Sequence, residues 1–193
     1  INPKKVSDFE SLRDLREFLL DLIRKRRKEL NKGRVINFEE SAIIDETNVV
    51  SLSPGSLGGK GRGLAFINTL IYSFELGRLI PGINVKTPVT AIIGTDEFDM
   101  FMERNHLWKL VKEETDFSKI PKAFVDGSLS YTLEKKLRVF VQKITRPLAV
   151  RSSSLFEDSQ NQPFSGIFGT YLLPNNNPDQ EIRLKQLAEA IKL

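Results

Sequence analysis

Near the start of the chain Phe9, Leu12, Leu15, Leu19, Leu22 and Leu30 recur at helical spacings with charged residues between them. That pattern predicts one amphipathic helix over about residues 8–31, with Ser7 and Glu10 as a capping box and Gly33 as its terminator. Beyond it, short apolar runs alternate with helical patterns, which predicts an α+β domain of mixed α/β character. A short strand fits within 35–44, and residues 47–53 lead into the loop SPGSLGGKGRG at 53–63. Leu64, Ile67, Ile71, Phe74, Leu76 and Leu79 predict a helix that stops near Pro81 and Gly82. TPVTAIIGT at 87–95 reads as a strand, and TDEFDMFMERN at 95–105 as a helix opened by a Thr or Asp cap. Further helices are expected over 106–114 and 130–143. RPLAVRSS at 146–153 reads as a buried strand, GTYLLP at 169–174 as another, PNNNPD at 174–179 as a loop, and Pro178 opens a last helix to 193.

Composition narrows the classes. With 193 residues, 40% hydrophobic and 28% charged, the chain suffices for one domain and a short extension. No run approaches the roughly 18 apolar residues of a membrane span, so no membrane partner is expected. The first residues carry neither an initiating Met nor an apolar leader, so we expect a piece of a longer protein that is not secreted, with the cytoplasm as default compartment. Absence of cysteine removes disulfides, thiolate nucleophiles and most zinc sites. His106 is the one histidine, so His-rich metal sites and most hydrolytic triads go as well, and neither HExxH nor Gly-x-Ser-x-Gly occurs. Within ERNHLWK, beside a helix boundary, His106 reads as a surface or capping residue.

The net charge of +4 is localised. Residues 1–34 hold 11 Lys/Arg against 6 Asp/Glu, whereas 35–193 hold 18 against 19. The excess centres on RKRRK at 24–28, at the C-terminal end of the first predicted helix, where the helix dipole favours cations. A short charge run of this kind is usually a solvated face, so nucleic acid is not the expected partner. The leucine stripe is expected to pack on its own domain or on a neighbour.

Two segments carry candidate chemistry. Gly58, Gly59, Gly61 and Gly63 surround Lys60 just before an apolar helix, where backbone N–H groups can converge on an anion and the lysine adds a mobile charge. Neither a Walker loop nor a dinucleotide fingerprint fits: Pro54 and Gly61 stand where the first requires Gly and Ser/Thr, and Leu64 where the second requires its third glycine. A plain flexible connector is an equal reading of this loop alone. In the second segment, LAVRSSSLFED at 148–158, Arg151 follows an apolar run, at the strand end where open α/β sheets place ligands. Its planar fork suits phosphate oxygens. Ser152 and Ser153 adjoin it, and Glu157 and Asp158 could order the fork or sit near a metal ion. The same residues could equally form a structural Arg–carboxylate pair and a serine turn. Since both motifs follow predicted strand ends, Lys60 and Arg151 are expected at one rim of a mixed sheet, facing a common concavity.

Taken in order, the two motifs resemble the N-terminal nucleotide-binding domain of the phosphoenolpyruvate synthase and pyruvate phosphate dikinase family. Gly58-Gly59-Lys60-Gly61-Arg62-Gly63-Leu64 is similar to its G-G-K-(G/N)-x-x-L loop. Ala149 through Asp158, followed by Phe164-Ser165-Gly166, is similar to A-V-R-S-S-A-x-x-E-D and F-A-G, with Ser154 and Ser165 in place of alanines. Thr170-Tyr171-Leu172 resembles T-(F/Y)-L, and the likeness spans about 48–193.

The resemblance implies an incomplete ATP-grasp-like fold, with 1–34 a basic amphipathic connecting helix and 35–193 a truncated N-terminal part of the nucleotide-binding domain. It also implies that Lys60 and Arg151 contact ATP phosphates, supported by Gly58, Gly59 and Gly61 and by Ser152, Ser153, Glu157, Asp158 and Gly166. Family enzymes split ATP and pass a phosphoryl group to a histidine on a swivelling domain, en route to pyruvate or another acceptor. The second nucleotide lobe with most magnesium ligands, the swivelling histidine domain and the pyruvate-binding barrel would be downstream partners, and the piece alone is expected to be inactive. The alternative is a noncatalytic interaction domain that docks through the basic helix.

Overall fold

The structure is a computed structural model that describes residues 4–42, 44–79, 82–154 and 168–193, with the Arg78 side chain excepted. After a 3-10 turn at Val6–Asp8 come α1 (Leu12–Asn31), β1 (Val35–Asn37), β2 (Val49–Ser51), α2 (Gly58–Ser73), α3 (Leu76–Leu79) and β3 (Thr90–Ile92). Next are α4 (Thr95–Arg104), α5 (Leu107–Glu113), α6 (Lys119–Asp126), α7 (Tyr131–Lys143), β4 (Leu148–Arg151), β5 (Thr170–Leu173) and α8 (Gln180–Lys192). Helices dominate and the strands are short, three or four residues each.

Two sheets form where one was expected. Strands β1, β2 and β3 make a parallel sheet in that order, with Val50 in register with Ile36 and Ala91. Strands β4 and β5 make an antiparallel hairpin that pairs Leu148 with Leu173 and Arg151 with Thr170. One core nevertheless serves both: Val50 and Leu52 from the parallel sheet lie with Leu133, Leu137, Phe140 and Val141 of α7 and Leu184 and Leu187 of α8, and Leu148, Val150 and Leu173 pack against that cluster. Val49 and Val50 are wholly buried, which suits a central parallel strand covered on both faces. In contrast β4, expected as buried, alternates: Leu148 and Val150 point inward while Ala149 and Arg151 are exposed. A hairpin with one face on the core leaves its other face open.

The first helix starts later than its stripe predicts. Its cap is Ser11, whose Oγ accepts from the Asp14 N–H at 3.1 Å, rather than Ser7 with Glu10. Both Ser-x-x-acid signals occur in sequence, but the upstream one falls in the 3-10 turn. The stripe is only partly covered, since Leu15, Phe18 and Leu22 are half-buried while Leu12, Leu19, Ile23 and Leu30 remain exposed. At its far end Gly33 adopts φ +71°, the left-handed geometry of a helix stop, and donates to the Thr47 carbonyl at 2.7 Å. Lys28 reaches Asp45 at 2.8 Å, so this end is pinned to the turn before β2. Burial pushes the Asp45 carboxyl up, but the Lys28 contact and the Thr47 donors outweigh it and hold the group below its ordinary value. The same pair raises Lys28.

Helix α6 has no counterpart in the expectations, because Pro121 and the polar residues around it mask a one-sided pattern. Helix α4 begins at Gly94 with no side-chain cap, where a Thr or Asp cap was expected. Thr95 is diverted to another partner, described below.

Candidate functional site

The glycine-rich stretch is positioned from two sides. On the first, the segment leaving β2 is clasped by the turn between β3 and α4. Ser53 Oγ accepts from the Gly94 N–H at 2.8 Å, Ser56 N–H donates to Thr95 Oγ1 at 2.9 Å, and Thr95 N–H donates to the Ser56 carbonyl at 3.1 Å. Contact is so close that a Cβ on Gly94 would lie 2.0 Å from the Pro54 oxygen. Lys136, from α7, adds a 2.6 Å bond to the Leu52 carbonyl. Thr95 was expected only as a helix cap and Gly94 was not singled out in sequence; the signal available was a glycine directly following an apolar strand.

On the second side stands the end of β4. Ser153, two residues beyond Arg151, accepts from Gly59 N–H through its carbonyl at 3.0 Å and from Gly61 N–H through Oγ at 2.8 Å. Its hydroxyl donates to the Leu57 carbonyl at 2.8 Å. Gly58 has φ +69°, and a Cβ there would fall 1.6 Å from the Ser153 oxygen. Glycine is therefore required at 58 by a neighbouring backbone, which only a residue without Cβ can admit.

This geometry changes the picture of the loop. The expected loop at 53–63 ends at Leu57, and Gly58, Gly59, Lys60, Gly61 and Gly63 lie inside the first turns of α2. Four glycines disfavour a helix by up to about 1 kcal/mol each, yet the segment is helical, with Ser153 closing on Gly58 and with Ile92 and Ser153 on Gly61. The N–H groups of Gly59 and Gly61, expected to serve an anion, already serve Ser153. Arg62 turns back, its Nε donating to the Gly58 carbonyl at 3.2 Å.

The two motifs are thus brought together, though not by a shared sheet. Lys60 stands half-buried in the first turn of α2, and Arg151 is exposed at the last position of β4. Lys60 follows the parallel sheet and Arg151 belongs to the hairpin. Their joint placement comes from Ser153 instead of strand pairing. Ser152 is exposed and Ser154 half-buried. Glu157, Asp158 and Gly166 lie outside the described residues.

His106 is remote from this junction in chemistry as well as in sequence: it takes the left-handed φ of +55° at the start of α5, without a side-chain capping bond, and borders an open depression with Met102, Glu103, Trp108 and Lys109. Among the described residues no group of three or more His, Asp or Glu side chains could hold a metal ion.

A family model for the AMP/ATP-binding domain of pyruvate phosphate dikinase matches residues 55–192. The chain belongs to this family. Comparisons with curated proteins and with solved structures gave no match. The matched stretch opens at Gly55, inside the segment clasped by β3 and α4, and contains both motifs and the Ser153 junction. No helix among the described residues is long and apolar enough to cross a membrane. As a dikinase-family domain the chain is an AMP/ATP-binding unit of a phosphotransferase-type family.

Proposed function

We propose that Lys60 and Arg151 hold the phosphates of ATP in a dikinase-type phosphotransferase, which passes a phosphoryl group to a histidine on a swivelling domain and on to pyruvate or a related acceptor. The observation that carries this reading is the Ser153 junction, which fixes a lysine-bearing helix start against an arginine-bearing strand end inside a domain of an ATP-binding family. Phosphoryl transfer rests on positioning and charge neutralisation, and the two cations divide that work. Lysine offers a compact mobile charge, whereas the arginine fork fixes the orientation of two oxygens. The role proposed for Gly58, Gly59 and Gly61 is to admit the close approach of β4 that sets this pair. Magnesium accompanying ATP would take its protein ligands from elsewhere, as the family resemblance implies, and residues 1–34 would connect this unit to its neighbours. The 193-residue chain by itself is expected to bind nucleotide without turnover and to leave His106 unlabelled by ATP.

The test is an ATP titration of the full-length protein with Arg151→Lys, which keeps charge but loses the fork, together with protection of Lys60 from amine modification. The expected result is about tenfold weaker ATP binding in the variant, and protection of Lys60 by ATP but not by adenosine. Unchanged affinity together with unprotected Lys60 would remove both residues from the phosphate site.

A further inference from the structure

We infer that Ser153 is a positioning residue for phosphate recognition: it locks the start of α2 to the end of β4 and so fixes the spacing between Lys60 and Arg151, leaving recognition to those side chains rather than to the glycine amides. This rests on the reading of Lys60 and Arg151 given above.

Three bonds from one residue carry the inference. The Ser153 carbonyl takes Gly59 N–H at 3.0 Å, its Oγ takes Gly61 N–H at 2.8 Å, and its hydroxyl proton goes to the Leu57 carbonyl at 2.8 Å. Oγ thus acts as donor and acceptor at once, on both sides of the helix start. Residues 57, 59 and 61 belong to one segment and 153 to another more than 90 positions away in the chain, so the lock joins parts that no strand pairing connects. Two flanking residues are bound to this arrangement: Gly58 must lack a Cβ to admit the Ser153 oxygen, and a Cβ on Gly61 would stand 3.4 Å from Ser153 Oγ and 3.1 Å from Ile92.

The consequence for the ligand is specific. A helix start offers an anion its unpaired N–H groups, but here Gly59 and Gly61 have given theirs to Ser153. A phosphate arriving at this junction meets the lysine between those two glycines and the arginine two residues before the serine. Removing Oγ would release Gly61 and Leu57, let the helix start drift from β4, and misalign the two cations, which adenosine, having no phosphates, does not engage.

The experiment measures ATP and adenosine affinities of the full-length protein with Ser153→Ala, Ser153→Cys, Lys60→Ala and Arg151→Ala. Expected for Ser153→Ala is a loss of about tenfold for ATP with adenosine binding unchanged, a split that general destabilisation would not produce. Ser153→Cys, which keeps size but weakens the hydrogen bonds, should show a smaller loss in the same direction and serves where the alanine variant folds poorly. If both serine variants bind ATP as the parent does while Lys60→Ala and Arg151→Ala lose it, the positioning role is overturned and the phosphate site stands. If Lys60→Ala and Arg151→Ala also bind ATP normally, the reading of the site itself is overturned, and this inference with it.

Discussion

Two glycines in the first turns of α2 should respond to the same substitution with opposite signs. At Gly63 a Cβ would meet nothing within 4 Å, and the residue is helical and exposed, so Gly63→Ala should stabilise the fold by about 0.5–1 kcal/mol through helix propensity. At Gly58 a Cβ would stand 1.6 Å from the Ser153 carbonyl oxygen and 2.6 Å from its Oγ, and φ is +69°. An L-residue there costs about 1–2 kcal/mol for the left-handed conformation. Displacing Ser153 forfeits bonds to Gly59 and Gly61, each worth about 0.5–1.5 kcal/mol net. The offending atom is backbone, two residues beyond the end of β4, so it cannot swing aside as a flexible side chain would. Together these terms give a loss of about 2–5 kcal/mol for Gly58→Ala, which at this chain length lowers the melting temperature by roughly 4–20 °C. Urea titration of both variants followed by circular dichroism supplies the comparison. A Gly58→Ala midpoint equal to that of Gly63→Ala would refute the claim that close approach of β4, and not loop flexibility, accounts for glycine at 58.

Two further outcomes follow from buried polar groups away from this junction. Glu97 is almost fully buried and accepts from both the N–H and the hydroxyl of Ser130, at 3.1 and 2.9 Å, where α7 begins; Glu97→Ala should cost about 2–3 kcal/mol in urea titration by orphaning that N–H, with Glu97→Gln costing less. Because the Asp45 carboxyl is depressed in the fold, its contribution is present above its ordinary value and lost as pH falls through the lower folded value. For Lys28, raised by the same contact, the contribution is present below 10.5 and lost as pH climbs through the higher folded value. Amide protection factors at the C-terminal end of α1, referenced to the intrinsic exchange rate at each pH, should therefore be steady around neutral pH and fall below about pH 4 and above about pH 10.5, whereas in Asp45→Asn they should be low throughout.

Local chemistry carried much of this protein in its sequence. The stripe of α1 with its stop at Gly33, the apolar run of β3, and the helices α7 and α8 depend on periodicity and turn residues that act within a few positions, so they were legible, whereas β2 was read only as the lead into the glycine loop. The motifs at 58–64 and 149–158 pointed to the dikinase family, and the match over 55–192 agrees. What the sequence could not decide is everything settled between distant segments. Four glycines read as a loop, but they lie in the first turns of α2, where Ser153 closes on Gly58 and Ile92 and Ser153 on Gly61. Gly59 and Gly61 read as open donors, but a serine more than 90 residues away takes both N–H groups. Arg151 read as the end of a buried strand, but among the described residues its strand pairs with β5 and shows one face to solvent. Propensity and pattern act along the chain and fix which residues can form a turn, a strand or a cation pair. Which amide meets which carbonyl is set by close packing between chain segments far apart in sequence, and only the folded structure contains that information.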